Sequence, residues 1–132
     1  MESVRQFRKR NTILSSLQQS KAHPSAEALY HSLRQEHPDI SLATVYRNLA
    51  LFKSQGLIRS LGTVSGVERF DGDLSPHAHF VCRVCRRVMD MALPEGLEQV
   101  FGSLEQDFNF AAESCAVSVT GVCGDCRKRQ AC

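Results

Sequence analysis

The sequence lacks long apolar runs, and its first cysteine is Cys82. No apolar stretch approaches roughly 18 residues, the minimum for a membrane-spanning helix, so no such helix is expected. The basic N-terminus is not followed by an apolar segment, so no secretory signal is expected and the predicted location is cytoplasmic. Apolar and cysteine residues nevertheless make up 42% of the chain, which is enough for a packed core.

Charge and cysteine are unevenly distributed along the 132 residues. Residues 1–60 contain nine Lys or Arg and four Asp or Glu, whereas residues 61–132 contain seven and ten. All six cysteines lie in the second part. This asymmetry indicates two modules with different roles. Residues 71–76 have loop composition, and we place the modules at residues 1–71 and 72–132.

The first module is predicted to be a winged helix-turn-helix. Apolar residues recur at helical spacing in three segments. We expect Pro24 to be the first helical residue of the second segment, whereas Ser41 caps the third and Gly56 ends it. Two strands then follow, joined by a turn bounded by Gly62 and Gly66.

The second module combines short strands with one amphipathic helix opened by Pro94. The predicted fold class is therefore α/β in the broad sense (α+β). It consists of an N-terminal winged helix-turn-helix domain and a small C-terminal α/β domain.

The third helix has the composition of a helix that reads DNA. Its apolar residues share one face, and Arg47 lies opposite them with small residues beside it. Arg and Asn side chains can hydrogen-bond to base edges, and basic residues near the N-terminus can contact phosphate. An ordinary amphipathic surface helix is the alternative. The predicted DNA contacts are Arg5, Arg10, Ser41, Ala43, Thr44, Tyr46, Arg47 and Asn48.

Two Cys-x2-Cys pairs, Cys82/Cys85 and Cys123/Cys126, predict a structural zinc site. Four thiolates can surround Zn²⁺ tetrahedrally, and a disulfide framework is the poorer explanation in a cytosolic chain. Cys115 is expected to be a packed apolar residue, and Cys132 to be a terminal thiol.

A second metal site is indicated by His77 and His79, which lie on one side of a short extended segment. Asp71 and Asp90 are the nearest carboxylate candidates along the chain. Imidazole and carboxylate ligands suit Fe²⁺, Mn²⁺ or Zn²⁺. Each of these residues taken singly could also be an ordinary solvated side chain at the surface.

Several motifs occur in the order found in the ferric uptake regulator (Fur) superfamily, and the chain resembles that family over nearly its whole length. The resemblance implies a homodimeric, metal-dependent repressor that binds an inverted repeat in double-stranded operator DNA. It also implies that the C-terminal domain dimerises. The matching segments are Ala22-His23-Pro24-Ser25-Ala26, Ala43-Thr44-Val45-Tyr46-Arg47-Asn48-Leu49, Arg69-Phe70-Asp71, His77-x-His79 and the two cysteine pairs.

Within the family the chain looks most like the peroxide-sensing branch (PerR). The branch's Fe²⁺ or Mn²⁺ ligands correspond to His23, Asp71, His77, His79 and Asp90. The iron-sensing and zinc-sensing branches usually have Glu at the last of these positions. The family's additional metal site is expected to be absent, because Cys115 and Pro76-His77-Ala78-His79 replace its ligand pattern.

The resemblance to this branch implies that hydrogen peroxide oxidises a ligand imidazole, with His23 and His77 as the targets, and so relieves repression. An iron- or zinc-uptake regulator of the same family is the alternative. A zinc hydrolase or deaminase is not expected, because neither His-Glu-x-x-His nor a His-x-Glu beside the cysteines is present. A zinc-stabilised protein-interaction module is a further class.

Overall fold

The computed structural model describes residues 2–130. Its contacts divide the chain into an N-terminal unit ending at Ser75 and a C-terminal unit beginning at Pro76. The boundary predicted after residue 71 lies four residues earlier. The elements, in chain order, are α1 (Val4–Gln19), α2 (Ala26–Leu33), α3 (Leu42–Ser54), β1 (Arg59–Val64), β2 (Val67–Asp71), β3 (Ala78–Cys82), β4 (Val88–Met91), α4 (Leu97–Phe108), β5 (Ser118–Gly121) and α5 (Gly124–Gln130).

The three N-terminal helices begin at side-chain caps. Ser3 and Gln6 form a reciprocal capping box on α1, and the Ser25 hydroxyl accepts the Ala28 N–H on α2. The expectation for Pro24 was wrong: it precedes the cap and lies outside the helix. Helix α2 begins where a serine side chain can accept one of the unpaired backbone N–H groups of the first turn. The proline only restricts the backbone that leads into the helix.

The β1–β2 hairpin follows α3 and completes a winged helix-turn-helix. Its two-residue turn is Ser65-Gly66, and both residues have positive φ, as a type I′ turn requires. The turn predicted from Gly62 to Gly66 was therefore too long. Gly62 lies within β1, at a shift of register between Ser60 and Thr63. Its φ of 79° allows the backbone to make this shift.

A continuous apolar core holds the N-terminal unit together. It combines the inward faces of α1, α2 and α3 with residues from the ends of the hairpin strands. Burial of this apolar surface supplies most of the stability of the unit. The buried members are Ile13, Leu17, Ala26, Leu29, Leu33, Ile40, Val45, Leu49, Phe52, Ile58 and Phe70.

The C-terminal unit is built on a three-stranded sheet with the order β4-β3-β5. β3 pairs antiparallel with β4 and parallel with β5. Strands and helices are thus mixed as predicted, and the fold class is confirmed. The short helix α5 was not predicted, since its seven residues have no apolar period.

The C-terminal unit has little apolar core of its own. The buried cluster there consists of Cys82, Cys123 and Cys126, with three partly buried apolar residues around it. None of the α4 residues is buried. No helix within residues 2–130 is long and apolar enough to cross a membrane.

Candidate functional site

The sheet of the C-terminal unit brings the two cysteine pairs together. β3 and β5 run parallel with Cys82 opposite Gly121, so the segments that leave the two strands emerge at the same edge. Cys85 follows β3, whereas Cys123 and Cys126 lie at the start of α5. The four sulfur atoms lie within 4.8 Å of one another.

The spacing of these sulfurs fits a tetrahedral zinc ion. Sulfurs about 2.3 Å from zinc at tetrahedral angles are about 3.8 Å apart. The Sγ atoms of Cys85 and Cys123 are 3.9 Å apart. No disulfide joins the described cysteines, and three of the four sulfurs in this cluster belong to buried residues.

Hydrogen bonds and burial have opposite effects on the pKa values of these thiols. The backbone N–H groups of Cys123 and Cys85 donate to the Cys82 sulfur at 3.4 and 3.5 Å, and they lower the pKa of that thiol to about 5. Burial raises the pKa of Cys126 to about 12. A divalent cation bound by these sulfurs would favour their thiolate forms.

Arg87 lies beside this cluster, and the sequence did not point to it. Its Nη2 atom lies 4.0 Å from the Cys123 sulfur and 3.2 Å from an Asp125 carboxylate oxygen. These contacts, with the Cys123 sulfur first, raise the pKa of the guanidinium. A cation here offsets part of the negative charge that four thiolates would bring to one zinc ion.

A second group of metal-binding side chains lies at the other end of β3. His79 is paired with Asp90 of β4 in the sheet register, and His77 immediately precedes β3. The Nε2 atoms of the two histidines are 3.1 Å apart. They lie 3.4 Å (His77) and 3.3 Å (His79) from Asp90 Oδ1.

These three atoms form a nearly equilateral triangle that can face a metal ion. Donor atoms with these separations could all lie about 2.1 Å from one ion, a usual metal–imidazole distance, so the three residues could hold a metal together. Two histidines and one carboxylate on one face of an ion are typical of Fe²⁺ sites with open positions. His79 is buried, whereas Asp90 is exposed.

The N-terminal unit contains two more predicted ligands, His23 and Asp71, and both are buried. Asp71 ends β2, and its Oδ1 lies 3.6 Å from His23 Nδ1. His23 has a φ of 50°, which is rare for a residue other than glycine and is further disfavoured before proline. Such a conformation costs about 1–3 kcal/mol and marks a place that the surroundings hold fixed.

The exposed face of α3 carries the predicted base-reading residues. Ala43, Tyr46 and Arg47 are exposed, and Thr44 and Asn48 are half-buried. Arg47 Nη2 donates to the Thr44 hydroxyl at 3.2 Å, which directs the guanidinium along the helix. Tyr46 has 51% of its surface exposed, and this exposure leaves the ring available to a partner.

Ser41, Thr44 and Asn48 also have local roles. The Ser41 hydroxyl caps α3 by accepting the Thr44 N–H at 3.1 Å. The Asn48 side chain donates to the Thr44 carbonyl at 2.8 Å. The Ser41 contact stabilises the first turn of the helix, and the Asn48 contact fixes the orientation of the Asn48 side chain.

The two predicted arginines of α1 lie in different surroundings. Arg10 lines a surface cavity of about 440 Å³ together with α3 residues that include Arg47 and Asn48. Arg5 lies beside Asp39 instead, with Arg5 Nε 3.6 Å from Asp39 Oδ2, and lines a separate cavity. Only Arg10 therefore adjoins the base-reading face of α3.

The two remaining cysteines lie outside these groups. The expectation that Cys115 is packed was wrong, because it is exposed in the segment between α4 and β5. No residue of that segment is buried. Cys132 lies outside the described residues.

Comparison with known proteins identifies the family. The model of the ferric uptake regulator family matches residues 2–120. The chain belongs to the ferric uptake regulator family. The peroxide operon regulator of Bacillus subtilis (strain 168) is 35% identical to this Fur-family chain over 127 residues, which cover 96% of this chain and 87% of the relative.

Two solved structures support the same placement. The Campylobacter jejuni peroxide stress regulator has a TM-score of 0.80 at 27% identity, covering 93% of this chain and 92% of its own. The Helicobacter pylori ferric uptake regulator, a protein with three functional metal binding sites, has a TM-score of 0.79 at 26% identity, covering 91% of this chain and 82% of its own.

Family membership makes the chain a metal-responsive transcription regulator. The predicted resemblance to the family and to its peroxide-responsive members is confirmed. The predicted cofactors are confirmed as well: one cluster suits structural zinc, and histidine–carboxylate ligands suit a regulatory Fe²⁺ or Mn²⁺ ion. Fur-family members are regulators rather than enzymes, as the sequence predicted for this chain.

Proposed function

We propose that this Fur-family chain is a cytoplasmic Fe²⁺/Mn²⁺-dependent repressor that releases its operator when hydrogen peroxide oxidises one of its metal ligands. The observation that carries the proposal is the triangle of His77, His79 and Asp90 donor atoms, with sides of 3.1–3.4 Å. Its two-histidine, one-carboxylate composition favours Fe²⁺ and leaves other coordination positions to be filled.

Further ligands are proposed to come from the N-terminal unit. His23 and Asp71 are buried beside one another, and their donor atoms are separated by a distance that one shared ion would suit. Neither the pair of ligands in the N-terminal unit nor the triangle of three ligands in the C-terminal unit alone provides the five or six ligands that such an ion prefers. Binding of all five residues to one ion would therefore favour the arrangement of the two units that can bind DNA.

The ligands are also the proposed site of peroxide sensing. Fe²⁺ held by these residues would supply the redox chemistry that activates peroxide and would be regenerated in the net reaction, whereas Mn²⁺ would not supply it. The net change transfers one oxygen atom from H₂O₂ to a ring carbon of His23 or His77 and releases water. The oxidised ring is a poorer ligand, so the regulatory ion is held less tightly and repression ends.

DNA recognition is proposed to use α3, with Arg47 and Asn48 reading base edges and Arg10 contacting the backbone. A homodimer would present two such helices to an inverted repeat whose half-sites lie about one helical turn apart. The apolar face of α4 supports the dimer, since Val100, Leu104 and Phe108 are all exposed in the single chain.

The proposal is tested by a DNA shift assay with a duplex selected from a random library by the Mn²⁺-loaded protein. Fe²⁺ and Mn²⁺ should each support binding, and peroxide should abolish binding only of the Fe²⁺ form. Unchanged binding after peroxide would indicate an iron- or zinc-uptake regulator instead. A zinc-stabilised interaction module would select no duplex at all.

Mass spectrometry of the peroxide-treated Fe²⁺ form locates the oxidation. One added oxygen should map to His23 or His77, and oxidation confined to cysteine would contradict the histidine mechanism. Asp90→Glu is the matched variant, because it keeps the carboxylate but moves it by one methylene. It should blunt the peroxide response while sparing Mn²⁺-dependent DNA binding, and an undiminished response would remove the argument from Asp90.

A further inference from the structure

Three consecutive residues of β2 hold the segment that contains His23. Arg69 donates from Nε to the His23 carbonyl and from Nη2 to the Ala22 carbonyl, the latter at 2.7 Å. The Phe70 N–H donates to the Pro24 carbonyl at 3.1 Å. The Asp71 carboxylate then faces the His23 imidazole. The segment therefore lies along β2, fixed at each of its residues.

The two carbonyls that Arg69 binds belong to the peptide groups on either side of the His23 Cα. The orientations of those two peptide planes define φ and ψ of His23, and these angles set the direction of its side chain. His23 adopts a left-handed backbone before proline, which it would not keep without external restraint. Arg69 supplies that restraint from one rigid group.

We propose that Arg69 is a positioning residue for the regulatory metal: it fixes the backbone of His23 so that the imidazole is directed at the ion before the ion binds. The inference rests on the proposed role of His23 as a ligand. Arg69 itself carries only N–H donors and cannot coordinate a cation. Any favourable effect of Arg69 on metal binding is therefore transmitted through His23.

The shape of the guanidinium explains why this position needs arginine. Its planar fork donates in two fixed directions, whereas the ammonium of lysine is a point charge on a flexible chain. Charge alone would act in the opposite sense, because a cation close to a divalent ion repels it. Removal of the charge should strengthen metal binding if electrostatics dominates, and should weaken it if positioning dominates.

The test measures the affinity of the full-length zinc-loaded protein for Mn²⁺ from the electron paramagnetic resonance signal of free Mn²⁺. Arg69→Gln and Arg69→Lys should each weaken Mn²⁺ binding by about 10- to 100-fold, as other residues that orient metal ligands do. Arg34→Gln is the control, since Arg34 is exposed at the end of α2 and should not alter the affinity. Unchanged or stronger binding by Arg69→Gln, or full affinity in Arg69→Lys, would overturn the proposal.

A double-mutant cycle with His23→Ala separates positioning from a general loss of structure. Arg69→Gln should cause no further loss of Mn²⁺ affinity once His23 is absent, because no imidazole remains to be positioned. An equal loss in both backgrounds would show that Arg69 acts through the fold and would refute the role. Thermal unfolding followed by tyrosine fluorescence should show the N-terminal unit still folded in Arg69→Lys, which is the variant to use if Arg69→Gln does not fold.

The same cycle distinguishes this proposal from the function on which it rests. If His23→Ala weakens Mn²⁺ binding but Arg69→Gln does not, the positioning role alone fails. If His23→Ala leaves the affinity unchanged, His23 is not a ligand, and both the ligand assignment and the role of Arg69 fail.

Discussion

Gly72 lies against the end of α1, immediately after the proposed ligand Asp71. A Cβ atom at this position would lie 2.7 Å from both the N and the Cα of Gln18, and these backbone atoms cannot rotate away. Gly72→Ala should therefore force the two segments apart and destabilise the N-terminal unit by about 1–3 kcal/mol. Urea unfolding followed by tyrosine fluorescence measures the effect, because both tyrosines, Tyr30 and Tyr46, lie in this unit and the chain has no tryptophan.

Gly102→Ala provides the comparison for that substitution. Gly102 lies in α4, and a Cβ there meets no atom within 4 Å. Gly102→Ala should leave the urea unfolding transition detected by tyrosine fluorescence unchanged. A Gly72→Ala protein as stable as the parent would show that α1 can yield at this contact.

Single residues differ in how far the sequence can predict them. His79 and Asp90 could be proposed as partners because both belong to short strands flanking one cysteine pair. Arg69 could not, since its two acceptors lie 46 and 47 positions away in the chain and depend on how that segment lies along β2. Gly72 was equally hidden, because only the packing of α1 shows that a side chain has no room there.

At the scale of elements, β2 is tied to the end of α3 by one carboxylate. Glu68 accepts hydrogen bonds from the Ser60 hydroxyl at 2.6 Å and from Lys53 Nζ at 3.1 Å. These two donors, Ser60 first, lower the pKa of Glu68 below its ordinary value of 4.5. The ionised form is thus favoured in the folded state, so Glu68 stabilises the unit above about pH 4.5, and the contribution is lost as the pH falls through the lowered pKa.

Glu68→Gln should reduce the free energy of unfolding at pH 7 by about 0.5 kcal/mol, a small value because both partners are partly exposed. The difference between the two proteins should shrink as the pH is lowered from 5 towards 3. Urea titrations at each pH, followed by tyrosine fluorescence, measure it. Lys53→Gln should show part of the same effect, since Ser60 still donates in that variant; a difference that grows in acid would contradict the assignment.

Elements whose ends are marked by capping or stop residues could be predicted from the sequence, and elements whose bounds depend on packing could not. The bounds of α3 followed from Ser41 and Gly56, since a cap and a left-handed stop are local properties of the chain. The β1 strand continued through Gly62 because pairing with β2 absorbed a bulge there. Helix α5 is stabilised by the cysteine cluster to which it contributes, and no local sequence pattern predicts this helix.

At the scale of the whole molecule, the two units differ in what stabilises them. The N-terminal unit has a broad apolar core, whereas the buried cluster of the C-terminal unit consists of three of the four cysteines predicted to bind zinc. Zinc binding should therefore supply much of the folding energy of the second unit and little of the first. Cys82→Ser should lose zinc and unfold the C-terminal unit while leaving the tyrosine-detected unfolding of the N-terminal unit within about 1 kcal/mol of its original value.

Zinc content and hydrogen exchange of each unit check this expectation, with Cys115→Ser as the control. Cys115 is exposed and outside the cluster, so its substitution should retain zinc and protection from exchange. A folded, zinc-free C-terminal unit in Cys82→Ser would show that the sheet is stable without the ion.

The apolar face of the amphipathic helix α4 is exposed in the single chain, and this exposure leads to the last prediction. Val100, Leu104 and Phe108 have 52%, 36% and 70% of their surfaces accessible, and they recur at helical spacing. A second copy of the chain can cover this face, which explains an apolar pattern that one copy leaves open to water. The same pattern that predicts a core within one chain predicts an interface between two.

Val100→Glu should dissociate the proposed dimer without unfolding the single chain, because the new carboxylate is solvated in the monomer and buried without a partner in the dimer. An unpaired buried charge costs about 3 kcal/mol or more, so the dimer dissociation constant should rise by about 100-fold or more. Sedimentation equilibrium measures the change, with Leu57→Glu, an exposed apolar residue of the N-terminal unit, as the control. DNA binding should weaken in parallel, since a monomer engages only one half-site. An intact Val100→Glu dimer would place the interface elsewhere on the chain.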